Sequence, residues 1–162
     1  MSTESAPTPQ RRDHFTIFGG TSEGTGRVEA FSDGVFAIAI TLLVLGLSIP
    51  SGLADGEVWP AIRSQGTMFL SAGISFAVIG LYWGSHHHTF RYIERVDGPL
   101  MVVNLAHLAT IVFLPFPTLV LAEYGDTFTA VTLYAATLTF TGLTAAVLWG
   151  VAWKRRLTVS GL

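Results

Sequence analysis

Four stretches of this chain, about 31–49, 67–83, 100–121 and 127–153, are apolar over lengths that can cross a bilayer, for which a helix takes roughly 20 mostly apolar residues. They predict an all-α, polytopic membrane helix bundle with four spanning helices. In the first stretch Ile38, Thr41, Leu45 and Ser48 recur at steps of three, four and three, which sets them along one helical face. A stripe that mixes apolar and hydroxyl side chains suits a helix seam or a pore lining better than lipid. In the local alternative, Thr41 and Ser48 bond their own backbone, and composition alone favours it.

Composition agrees with a membrane protein: half the residues are hydrophobic, 12% are charged, and the mean hydropathy is +0.53, too apolar for an ordinary soluble domain. The absence of cysteine excludes disulfides, thiol chemistry and iron–sulfur clusters. Charge is informative through its placement. Arg11, Arg12, Arg27, Arg91, Arg95, Lys154, Arg155 and Arg156 precede the first stretch, join the second to the third, or follow the fourth. Asp55, Glu57, Glu123 and Asp126 lie in the other two loops, where Arg63 is the lone base. The positive-inside rule then predicts both termini in the cytoplasm and an integral protein of the plasma membrane. Residues 1–26 lack an apolar period and read as a flexible cytoplasmic tail, 27–156 as the transmembrane domain, and 157–162 as a short C-terminal tail.

Asp33, near the start of the first stretch, is costly there unless paired or facing water, and so marks a functional position. Arg27 lies six residues away, too far around a helix for a direct pair. Trp83, His86, His87 and His88 at the end of the second stretch and Asn104 in the third are the candidates for a cross-helix polar network. A metal on His86, His87 and His88 is disfavoured, because adjacent helical residues point about 100° apart and no HExxH spacing occurs. The glycine run Gly19-Gly-Thr-Ser-Glu-Gly24-Thr-Gly26 has Thr25 where a phosphate-binding loop needs lysine, with no preceding strand. It reads as a lead-in to the first helix. Leu114-Pro-Phe-Pro-Thr118 predicts a bend in the third span, and Trp149 and Trp153 beside Lys154 predict an interfacial anchor. Nothing points to nucleic acid.

Arg27-x-x-x-Phe31-Ser32-Asp33 at the head of the first span resembles the signature of the transmembrane-protein-175 family of potassium channels. Trp83-x-x-His86-His87, Asn104-Leu105 and Leu114-Pro-Phe-Pro-Thr118 resemble further landmarks of that family in the same order, over residues 27–118. The resemblance implies a homotetrameric channel, without enzyme activity or cofactor, whose permeant ion is K+. No Thr-Val-Gly-Tyr-Gly filter is present. It implies that Ile38 forms a hydrophobic constriction, Thr41 a hydroxyl layer and Leu45 a second narrowing, with Ser48 on the same stripe. Arg27, Phe31, Ser32, Asp33, Trp83, His86, His87 and Asn104 would support the pore helix. Family subunits usually have six spans, so four imply a short member or a chain that stops before the last two. Two other readings stay open: a proton-coupled carrier using Asp33 and His86 to His88, and a membrane-embedded metal enzyme. No helix carries the spaced arginines of a voltage sensor.

Overall fold

The computed structural model describes residues 22–159. Residues 1–21, which hold most of the predicted tail and the start of the glycine run, and residues 160–162 lie outside the described residues. Among the described residues six helices follow one another: α1 (Ser22–Leu45), α2 (Asp55–Ser64), α3 (Gly66–Phe90), α4 (Gly98–Phe113), α5 (Pro115–Tyr124) and α6 (Phe128–Lys154). Four segments are long and apolar enough to span: Gly24–Leu45, Gly66–Phe90, Gly98–Tyr124 and Phe128–Lys154.

The bend predicted in the third span divides it into α4 and α5. Pro115 has no N–H to give, and Leu114 N–H turns instead to Ile111 O at 3.1 Å, a tighter bond than the helical one. Leu114 keeps helical dihedrals, so the ladder is interrupted while the span continues. Buried Pro115, Pro117 and Thr118 put the interruption inside protein, where such backbone is tolerated.

α1 departs from the sequence reading at both ends. It begins at Ser22 because its first turns have somewhere to pack: Thr25 and Val28 are buried, and Thr25 Oγ1 donates to Glu94 O at 3.1 Å. It ends at Leu45, short of the predicted residue 49, where Leu47 N–H closes onto Val44 O at 3.0 Å. The next residue, Gly46, runs so close to α5 that a Cβ there would meet Leu119 Cδ2 at 2.1 Å. α2 escaped the hydrophobic reading because it buries no residue. Its start is held by Glu57, whose carboxylate accepts from Ala54 N–H at 2.9 Å.

The α4–α5 span is the hub. Within its most apolar window 44% of residues are buried inside the chain, against 11% for α3 and for α6, so those two helices present most of their surface outward. α4 packs on α6 and α1, and α3 on α1 and α5. One core cluster gathers Phe36, Ala39 and Leu43 of α1 with Ile79, Leu108, Ile111 and Leu114. A second, at the basic end, gathers Val28, Phe90, Ile93, Val96, Leu100, Leu148, Ala152 and Leu157.

At that end residues after α6 pair with the α3–α4 loop: Ile93 bridges Thr158 antiparallel and Leu157 is buried. Residues 157–159 are thus packed against the bundle. Asp97 caps α4 by accepting from Leu100 N–H at 3.0 Å and pairs with Arg155. Partial burial pushes the Asp97 carboxyl up, but the Leu100 N–H and the Arg155 guanidinium outweigh it and hold it below the usual aspartate value. A carboxyl lowered by folding contributes stability above its unfolded value and loses it as pH falls through the folded one. Asp97→Asn should keep the cap, since asparagine caps as well, and abolish only the acid-sensitive part. The loss is expected at about 1 kcal/mol or less, as for a partly exposed pair, and thermal unfolding at pH 7 and pH 4 measures it.

Candidate functional site

α1 has two faces. Val28, Ser32, Phe36, Ala39 and Leu43 are buried on the bundle, spaced four, four, three and four apart. Phe31, Gly34, Ile38, Thr41 and Leu45, offset by half a turn, are exposed. Ile38 is 58% and Leu45 76% exposed. Thr41 Oγ1 donates to Ile38 O at 2.8 Å. The local alternative therefore describes its proton, while the oxygen lone pairs are left on the exposed face. Ser48 lies beyond the last turn of α1, so the helical spacing that grouped it with Ile38, Thr41 and Leu45 does not apply to it.

The buried face is fixed by a hydrogen-bonded chain across three helices. Ser32 Oγ donates to Val28 O at 2.8 Å and accepts from Asn104 Nδ2 at 3.0 Å. Asn104 Oδ1 accepts from His86 Nε2 at 2.8 Å, which requires the His86 proton on Nε2. Ser32, His86 and Asn104 are all buried. The other ring nitrogen, His86 Nδ1, is buried without a partner among the described residues. Such a chain defines the rotation of α1 about its axis, because a turned helix would leave polar groups unpaired in a medium that offers no water.

A second tier lies nearer the surface. Trp83 Nε1 donates to Asp33 Oδ1 at 2.8 Å, and His87 Nδ1 stands 3.0 Å from Glu29 Oε1 while its ring stacks on Trp83 with centroids 5.8 Å apart. The structure thus joins Ser32, Asp33, Trp83, His86, His87 and Asn104. It does not join Arg27 or Phe31: Arg27 is exposed with no ion pair among the described residues, and Phe31 is on the outward stripe.

The three consecutive histidines diverge. His86 turns inward to Asn104, His87 to Glu29, and His88 meets Tyr92 edge-on at 5.1 Å. Among the described residues no three metal-binding side chains gather. Sequence reasoning missed Glu29, and it missed His107, which is buried, stacks on His86 at 5.8 Å and has Nδ1 2.9 Å from Thr144 Oγ1. The signal was present, since His107 follows Asn104 by three residues and an intramembrane histidine is rare enough to be marked by itself. A further polar chain, Tyr134 to Ser75 to Thr118 with oxygens 3.0 and 2.8 Å apart, ties α6 and α3 to the proline-bent segment.

Residues 27–115 match the family described as "Endosomal/lysosomal potassium channel TMEM175". A potassium channel of Streptomyces collinus is 49% identical over 100 residues, covering 62% of this chain and 48% of that protein. One of Chamaesiphon minutus is 37% identical over 150 residues, covering 85% of this chain and 68% of that protein. An endosomal/lysosomal proton channel TMEM175 of Bos taurus is 39% identical over 97 residues, covering 55% of this chain and 20% of that protein. The chain thus spans between a fifth and about two thirds of these relatives. The crystal structure of a lysosomal potassium-selective channel TMEM175 homolog from Chamaesiphon minutus superposes with a TM-score of 0.75 at 37% identity, covering 83% of this chain and 74% of that one.

Proposed function

The chain belongs to the transmembrane-protein-175 family, and from that premise we propose that it is a subunit of a homotetrameric, potassium-permeable leak channel whose pore is lined by α1. The observation that carries the proposal is the outward stripe of α1. Ile38, Thr41 and Leu45 are exposed along one face while the opposite face is locked to α3 and α4 through Ser32. A helix held so firmly in rotation, yet leaving a mixed apolar and hydroxyl face uncovered, suits a closed ring of copies around an axis.

In that ring four Ile38 side chains narrow the path and repel water, so a passing ion sheds part of its hydration. Potassium, less tightly hydrated than sodium, sheds it at lower cost. One turn on, Thr41 offers oxygen lone pairs, because its proton is committed to Ile38 O, and a cation needs acceptors. Leu45 narrows the path again. Arg27 and the bases at 91, 95 and 154–156 support a topology with both termini on the cytoplasmic side, in a membrane we take to be the plasma membrane.

The vertebrate relatives named proton channels favour a second reading in which protons also pass. The proton-coupled carrier draws less support, since Asp33, His86, His87 and His88 engage four different partners and form no continuous relay.

Potassium, sodium and proton flux into liposomes holding the purified chain tests both readings. Non-saturating potassium flux exceeding sodium flux is expected. Thr41→Ala should lower the potassium-to-sodium ratio a few-fold, the worth of about 0.5–1.5 kcal/mol for one polar contact. Flux that saturates or needs a proton gradient would establish the carrier instead.

A further inference from the structure

The chain leaves α6 through a turn that its own sequence disfavours. Arg156 has φ 54°, in the left-handed region where a Cβ is strained and glycine is the usual occupant. The turn is otherwise regular. Leu157 N–H donates to Ala152 O and Arg156 N–H to Trp153 O, each at 3.0 Å, the paired bonds that close many helices. Neither uses the Arg156 side chain, and glycine would make both with less strain. The backbone therefore does not account for an arginine here.

The pairing beyond the turn adds a second cost. Ile93 bridges Thr158, with Glu94 N–H donating to Leu157 O at 2.9 Å and Val159 N–H to Tyr92 O at 3.0 Å. Continued by two residues, that register brings Arg95 to the side of the turn that holds Arg156, and two guanidinium groups held near each other repel. Both are exposed. Among the described residues the ion pairs are Glu29 with His87 and Asp97 with Arg155, so neither guanidinium finds a carboxylate there. Glu94, the nearest in sequence, spends its backbone on Leu157 and Thr25 and forms no ion pair with either arginine. An anion held between the two would relieve the repulsion and offset the strain.

Depth selects the kind of anion. Tyr92, Trp149 and Trp153 form a row with centroids 6.3 and 6.4 Å apart, and rings of this kind sit at the headgroup level of a membrane. Arg156 follows Trp153 by three residues, on the turn just past the end of α6 at Lys154, next to this headgroup-level row. We propose that Arg95 and Arg156 form a docking site for the headgroup phosphate of an anionic phospholipid, which fastens the α3–α4 loop to the end of α6.

The full chain in phosphatidylcholine nanodiscs, with phosphatidylglycerol added stepwise, provides the test. Phosphatidylglycerol should raise the thermal midpoint. In phosphatidylcholine alone R156G should unfold at the same or a higher temperature than the unsubstituted chain, since its turn is relaxed. Its apparent affinity for phosphatidylglycerol should fall about fivefold, the worth of one basic residue at an anionic surface. R95Q, which leaves the turn intact, should show the same loss. A lower midpoint for R156G in phosphatidylcholine would assign the side chain to the fold and overturn the proposal. An unchanged lipid response in either variant would overturn the paired site, and inorganic phosphate reproducing the rise would overturn the lipid.

Discussion

Ile38→Asn should raise potassium flux on the order of tenfold and narrow the gap between potassium and sodium, since about 1.4 kcal/mol off the barrier accounts for such a change. The proposed ring repeats every substitution four times. An amide in place of a butyl group offers a carbonyl acceptor and an N–H donor, so water enters where isoleucine excluded it and an ion keeps more of its shell. The same wetting removes the difference in dehydration cost on which discrimination rests. Ile38 is 58% exposed in the single chain and stands about half a turn from the buried Phe36, so the substitution should leave the fold of each subunit intact. Flux in liposomes, with the assembled mass checked, measures the outcome. Unchanged currents through an intact assembly would remove Ile38 from the path.

How far such a site can be read from sequence depends on which interactions are periodic. The four spans and the α4–α5 break were legible because a bilayer imposes length and composition and because Pro115 cannot donate. The outward stripe of α1 was legible at Ile38, Thr41 and Leu45 from spacing. It failed at Ser48 because spacing cannot see where a helix stops: the end is set by Gly46 closing on Leu119, a contact between residues far apart in the chain. Partners were harder. Asp33 needed one, and Trp83 was among the candidates, but nothing local distinguishes it from its neighbours as the donor. Phe31 shows the opposite error. Its place in the Phe-Ser-Asp motif suggests a role beside Ser32, yet adjacent helical residues diverge by about 100°, so Ser32 is buried and Phe31 faces out with Ile38. The motif therefore spans both faces of α1, one residue for the anchor and one for the stripe.

That division makes the anchor the second place where a single change should be felt. Asn104→Leu is expected to cost about 1–2 kcal/mol, the range for an interhelical hydrogen bond in a membrane where the unfolded chain also finds partners. Leucine has the same branched skeleton as asparagine, but its methyls need more room than amide atoms held at 2.8 and 3.0 Å from their partners, so crowding at this fully buried position adds to the cost. The polar chain changes too. Ser32 keeps Val28 O as its acceptor, but His86 Nε2–H loses Asn104 Oδ1, and Nδ1 of the same ring already has no partner among the described residues. The whole buried imidazole is then unpaired. Adding His86→Phe removes the orphaned groups and should recover part of the lost stability, whereas two independent defects would add. Unfolding in detergent, followed for both single variants and the double, separates these outcomes. Flux adds a reading that stability alone would not give. Without the Ser32–Asn104–His86 chain, α1 is free to turn, and the ring of Ile38 and Thr41 loses its aim at the axis. Asn104→Leu channels that still assemble should therefore discriminate potassium from sodium less well, although residue 104 touches no ion. Retained discrimination at reduced stability would confine the anchor to folding and leave the rotation of α1 to be set by contacts between subunits.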